Sequence, residues 1–170
     1  IVVSEIAKNK TGKKKIIVAS ILAALAMMGN IASVEGAIPE GNKVDSLGLA
    51  IGVYSVSNSN QSVAIGYASS AQAPSASPEN PATAVGAGAN ANGTGAVALG
   101  LSANATGANA VALGGGSNGG KNKTEATAAN ATAVGFNAKA SQENAVALGS
   151  TANAAALNSI AMGKGASITA

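Results

Sequence analysis

The chain has 170 residues, is 47% hydrophobic but only 2% aromatic, and contains neither cysteine nor histidine. Those absences exclude a thick core of large side chains, a disulfide framework, a thiolate metal site and a histidine general base. The formal charge of +3 is equally specific in what it excludes, because it resides in the first 37 residues; from residue 38 onward five lysines balance five acids, and arginine, the preferred phosphate reader, does not occur. The basic pI therefore gives no reason to expect nucleic acid as a partner.

Residues 1–37 read as an export leader. Lys8, Lys10, Lys13, Lys14 and Lys15 form a basic n-region, and residues 16–28 are apolar apart from Ser20. Ala32, Ser33, Gly36 and Ala37 then offer small residues for cleavage. The apolar stretch is shorter than the ~20 residues that span a bilayer. Residues 38–46 form a short lead-in.

From residue 47 to 170 the chain repeats. Eight glycines, Gly52, Gly66, Gly86, Gly100, Gly114, Gly135, Gly149 and Gly163, follow one another at intervals of 14, 20, 14, 14, 21, 14 and 14 residues. A period that survives two insertions marks a stack of like supersecondary units. Numbering from each glycine, position −2 is alanine in every copy. Positions −3 and −1 hold Leu49 and Ile51, Val63 and Ile65, Thr83 and Val85, Val97 and Leu99, Val111 and Leu113, Thr132 and Val134, Val146 and Leu148, and Ile160 and Met162. Strict period-2 alternation puts −3 and −1 on one face of a short strand and −4, −2 and 0 on the other. A weaker alternation follows, with small residues at +3 and +5, such as Ala103 and Ala105, and asparagine between them. Two strands per 14 residues, joined by turns of Gly, Asn and Ser, predict an all-β parallel β-roll, a flattened β-solenoid of about eight coils. Alanine favours helix, yet a glycine every 14 residues and the clean alternation argue against one.

A single coil buries too little to offset the entropy of ordering it, so the coils must be stabilised by stacking, about 4.8 Å apart, into a rod roughly 40 Å long. The alanine and glycine face is thin enough to close a narrow interior. That leaves the −3/−1 residues as a continuous apolar strip facing outward, larger than soluble monomers tolerate, and a cyclic homo-oligomer would cover it. The reverse assignment, with the bulky residues inside a monomeric roll, exposes only alanine and glycine.

The two insertions fall near 74–81, with Pro74, Pro78 and Pro81, and near 115–128, which opens on a run of glycines. Proline and polyglycine belong in loops rather than in a hydrogen-bonded ladder, and such loops are candidates for variable surface contacts.

Gln61-Ser62-Val63-Ala64-Ile65-Gly66, Asn144-Ala145-Val146-Ala147-Leu148-Gly149 and Asn158-Ser159-Ile160-Ala161-Met162-Gly163 closely resemble the head repeats of trimeric autotransporter adhesins of the YadA type. The resemblance implies a left-handed roll, a homotrimer, display on the outer membrane of a Gram-negative bacterium, and adhesion to host matrix, cells or other surfaces. It also implies a coiled-coil stalk and a membrane β-barrel; the residues given contain no sustained heptad run and no set of barrel strands, so the membrane anchor is expected to lie outside them.

Chemistry has little to stand on. The run Gly115 to Gly120-Lys121 imitates a phosphate-binding loop, but Asn122 occupies the position of the required Ser or Thr. Asn-x-Thr sequons such as Asn104-Ala105-Thr106 are compatible with composition alone. Five scattered acids and five lysines do not form a catalytic cluster, and a 14-residue period is not a multiple of the six that hexapeptide acyltransferases require. No catalytic residue, metal ligand or cofactor is expected. Two readings remain: an adhesive head, or an inert spacer or assembly fibre built on the same rod.

Overall fold

The computed structural model describes residues 48–59, 61–73, 81–117 and 120–169. The leader, the lead-in and most of the first insertion lie outside the described residues. Every regular element among the described residues is a β-strand. Eight odd-numbered strands carry the Ala-aliphatic motif: β1 (Leu49–Ile51), β3 (Val63–Ile65), β5 (Thr83–Val85), β7 (Val97–Leu99), β9 (Val111–Leu113), β11 (Thr132–Val134), β13 (Val146–Leu148) and β15 (Ile160–Met162). They alternate with β2 (Val56–Ser57), β4 (Ser70–Ala71), β6 (Asn90–Ala91), β8 (Asn104–Ala105), β10 (Glu125–Ala126), β12 (Lys139–Ala140), β14 (Asn153–Ala155) and β16 (Ser167–Thr169). Odd strands pair only with odd and even only with even, giving two eight-stranded parallel sheets. The fold is thus the predicted β-solenoid of about eight 14-residue coils.

In the odd-numbered sheet register is the same at every step, with alanine opposite alanine and the −3 and −1 residues each opposite their equivalents in the next coil. Ala98 pairs with Ala112, Val97 with Val111 and Leu99 with Leu113, across a 14-residue offset. The same pairing spans the longer second insertion, where Thr132, Ala133 and Val134 sit beside Val111, Ala112 and Leu113. The seven extra residues are consumed between β9 and β10. Glu125 and Ala126, which spacing alone assigned to the insertion, belong to the ladder beside Asn104 and Ala105.

The interior is almost entirely alanine. In the coil of Gly100 the four inward positions −4, −2, +3 and +5 are Ala96, Ala98, Ala103 and Ala105, all 0% exposed. Side chains of one carbon let two sheets close without the ~10 Å gap that bulky side chains demand. The early coils replace some alanines with hydroxyls, and each finds a local acceptor. Ser55 Oγ donates to the Gly52 carbonyl at 2.8 Å, Ser69 Oγ to that of Gly66 at 3.0 Å, and Ser57 Oγ to that of Ser62 at 3.0 Å. Thr124 Oγ1, buried where β10 begins, donates to the Gly135 carbonyl at 2.6 Å. With no large apolar side chain inside, the two backbone ladders and their close approach must hold the stack together.

Outside the two insertions, two tight turns close each coil, and both carry a left-handed residue third in the turn. In the first, the +3 amide donates to the coil glycine's carbonyl, as Ser55 does to Gly52, and the residue before it has positive φ, such as Tyr54 (60°), Ser102 (56°) or Asn137 (55°). In the second, that position is usually asparagine: Asn109, Asn130, Asn144 and Asn158 have φ of 54–56°. Asparagine tolerates this conformation better than other side-chain-bearing residues.

The coil glycines have a further reason to be glycine. Their φ runs from 117° to 148°, and all but Gly163 abut the glycine of the next coil. A Cβ on Gly52 would come 2.5 Å from the Gly66 carbonyl oxygen, and one on Gly86 equally close to that of Gly100. Only at Gly163 would a Cβ meet nothing within 4 Å.

Candidate interaction surface

The outer faces of the two sheets differ in kind. On the odd-numbered sheet the outward positions −3 and −1 form two parallel columns of Val, Leu, Ile and Met, interrupted only by Thr83 and Thr132. Parallel pairing in a single register is what keeps each column straight. Inner members such as Val97, Val111, Leu113, Val134, Val146 and Leu148 are half-buried by their neighbours above and below. Towards the ends the columns open out: Leu49 is 46% exposed, Ile160 59% and Met162 69%. Val63, Ile65, Val85 and Ile51 complete the strip. The alanines between these residues all point inward, so the whole strip is one surface of unlike character to the core beneath it.

On the even-numbered sheet the outward residue of successive strands is Val56, Ser70, Asn90, Asn104, Glu125, Lys139, Asn153 and Ser167. This face is polar and nearly all uncharged. In its one charged cluster Lys139 Nζ and Lys123 Nζ each lie 3.3 Å from a different oxygen of Glu125, so the carboxylate is paired on both oxygens and one positive charge is left over. Asn90 Nδ2 donates to Asn104 Oδ1 at 2.8 Å along the same column.

The edges carry features that the spacing did not reveal. All three aromatics of the chain, Tyr54, Tyr67 and Phe136, sit in the first turn beside the coil glycine and are 46–60% exposed. Tyr54 and Tyr67 contact edge to face, with ring centroids 5.7 Å apart. At the opposite turn Asn109, Asn130, Asn144 and Asn158 stack into a ladder, each Nδ2 donating to the next Oδ1 at 3.3, 3.2 and 2.9 Å. The signal for that ladder was present as asparagine at −5 in four copies, but only the left-handed turn explains why asparagine stands there.

Nothing in this arrangement gathers reactive groups. Among the described residues no three acidic, cysteine or histidine side chains come close enough to hold a metal. The glycine run before Lys121 leads into β10, without the helix that a phosphate-binding loop requires.

The family model described as YadA head domain repeat (2 copies) matches residues 48–69, 81–103, 91–117, 126–152 and 140–166. These matches together cover more than half of the chain, and the gaps between them, 70–80 and 118–125, overlap the two insertions. No curated protein and no solved structure matches the chain. The repeat and the β-solenoid are those of a structural adhesin family rather than of a known enzyme class, and its members suggest an exported protein exposed at the cell surface. With period, register and alanine core in agreement with that match, the chain belongs to the YadA head domain repeat family, the head region of the YadA-type trimeric autotransporter adhesins.

Proposed function

We propose that this chain is the head of a Gram-negative surface adhesin, acting as a homotrimer whose three apolar strips meet on a common axis. The observation that carries the reading is the contrast between the two outer faces. One sheet presents aliphatic columns through all eight coils, and the other presents amides, hydroxyls and one small ion-paired cluster. A strip of some sixteen side chains exceeds the few hundred Å² of apolar patch usual on soluble monomers, and cyclic symmetry closes it without leaving a free copy of the surface. Burying the strip turns the polar face and both turn edges outward, towards whatever the head meets.

Attachment by such a head is multivalent. The outward face repeats every 14 residues and threefold about the axis, so contacts too weak to hold singly add up through effective concentration. Host matrix proteins and cell surfaces are the partners this reading expects, with the insertions and the exposed Tyr54, Tyr67 and Phe136 as variable contacts on a constant frame. The test is retention of the purified oligomer on a broad panel of immobilised matrix proteins and on cells. Saturable binding that fades when the oligomer is dissociated is expected. Failure to bind any member would favour the spacer reading, in which the same solenoid only holds other parts of a surface protein at a distance.

A further inference from the structure

Five of the nine threonines in the chain stand two residues after an asparagine, with no proline between, although asparagine accounts for only 17 of 170 residues. At that frequency about one such threonine would be expected by chance, and the count corrects the reading of the Asn-x-Thr sequons as a product of composition alone. Duplication of a single repeat does not account for them either. Asn104 lies at +4, Asn92 at +6 and Asn130 at −5 relative to their coil glycines, while Asn122 belongs to the second insertion. Four sequons in the described residues thus occupy four different registers.

Their placement is selective. Asn104 is the outward residue of β8 on the polar sheet, Asn92 follows β6 on the same side, Asn130 stands in the asparagine-bearing turn, and Asn122 is exposed ahead of β10. None lies on an odd-numbered strand. The three sequon asparagines within the coils are held by their oxygens: Ser70 Oγ donates to Asn92 Oδ1 (3.5 Å), Asn90 Nδ2 to Asn104 Oδ1 (2.8 Å) and Asn109 Nδ2 to Asn130 Oδ1 (3.3 Å). The carboxamide nitrogen therefore has a hydrogen to give up. Even Asn130, whose Nδ2 also donates to Asn144, keeps that bond after one substitution, because a glycosylated carboxamide retains one N–H.

We infer that Asn92, Asn104, Asn122 and Asn130 are N-glycosylation acceptors, modified by a glycosyltransferase that uses a phosphate-activated sugar. A bond forms between Asn Nδ2 and the anomeric carbon of the sugar. The anomeric C–O bond to the donor phosphate breaks, the phosphate-bearing group departs, and the displaced amide proton passes to base. Sugars at these four positions would coat the polar face and one turn edge, and leave the apolar strip untouched. The inference does not depend on the strip forming a trimer.

Peptide mass spectrometry of the full chain, purified from cells that produce it naturally, provides the test. Sugar-bearing peptides are expected at the four sequons and not at Asn109, Asn137, Asn144, Asn153 or Asn158. A single sugar or a ragged short chain at each site points to a nucleotide-sugar donor, and one fixed oligosaccharide points to a lipid-linked donor; either upholds the inference. Thr106→Ala, an exposed change, should abolish modification of Asn104 alone, and Thr106→Ser should restore it. Four unmodified sequons in the natural protein would overturn the inference, as would sugar on Asn104 that persists in Thr106→Ala.

Discussion

At the scale of single residues, glycine and alanine are chosen for what they lack. Seven of the eight coil glycines combine a φ that side chains rarely adopt with a backbone of the next coil where a Cβ would stand. Gly163 separates the two demands, since its φ is 117° but nothing lies within 4 Å of the place a Cβ would take. Gly100→Ala should therefore cost more than the ~1–3 kcal/mol typical of a strained φ, because a collision is added to it. Gly163→Ala should cost no more than that range. Urea melts of the two variants compare the terms directly, and equal losses would mean that φ alone selects glycine. The glycines themselves were plain in the sequence from their spacing. Their contact with the neighbouring glycine was not, because a spacing reports periodicity along the chain and not the distance between coils.

At the scale of elements, each strand is too short to stand alone, and neighbouring coils supply the missing bonds. The three-residue strands were legible because a bulky residue recurs at −3 and −1 around an invariant alanine. The second strand of each coil was weaker in the sequence, and at β10 spacing misplaced it. Inserted residues look the same whether they precede or follow a strand of two residues; only the pairing of Glu125 with Asn104 and Lys139 decides between them. The asparagine ladder was legible as composition but not as structure, since it depends on a left-handed turn stacking on another. This predicts that Asn144→Gly and Asn144→Ala differ in origin. Glycine keeps the turn and loses only the exposed amide bonds to Asn130 and Asn158, a cost of about 0.5–1 kcal/mol. Alanine loses those bonds and adds about 1–2 kcal/mol for a left-handed conformation. Thermal unfolding monitored by circular dichroism should rank wild type above Asn144→Gly and Asn144→Gly above Asn144→Ala. An inverted order of the two variants would remove the turn argument.

At the scale of the whole molecule, a core of alanine sends the bulky side chains to the outside. In most domains apolar residues mark the interior, and here Val97, Leu99 and their equivalents sit outside while Ala96, Ala98, Ala103 and Ala105 are sealed. The consequence is a division of labour between two surfaces, one suited to copies of the same chain and one suited to the surroundings. Because the strip lies outside the roll, acidic residues placed on it should spare the fold and destroy the assembly. The most direct measurement is native mass spectrometry of the wild-type chain beside Val97→Asp/Leu99→Asp, with far-UV circular dichroism of both. A wild-type trimer and a variant that is monomeric but retains its β spectrum are the expected results. A monomeric wild type, or a variant that keeps the trimer mass, would contradict the assignment of the apolar strip as the surface that joins the chains.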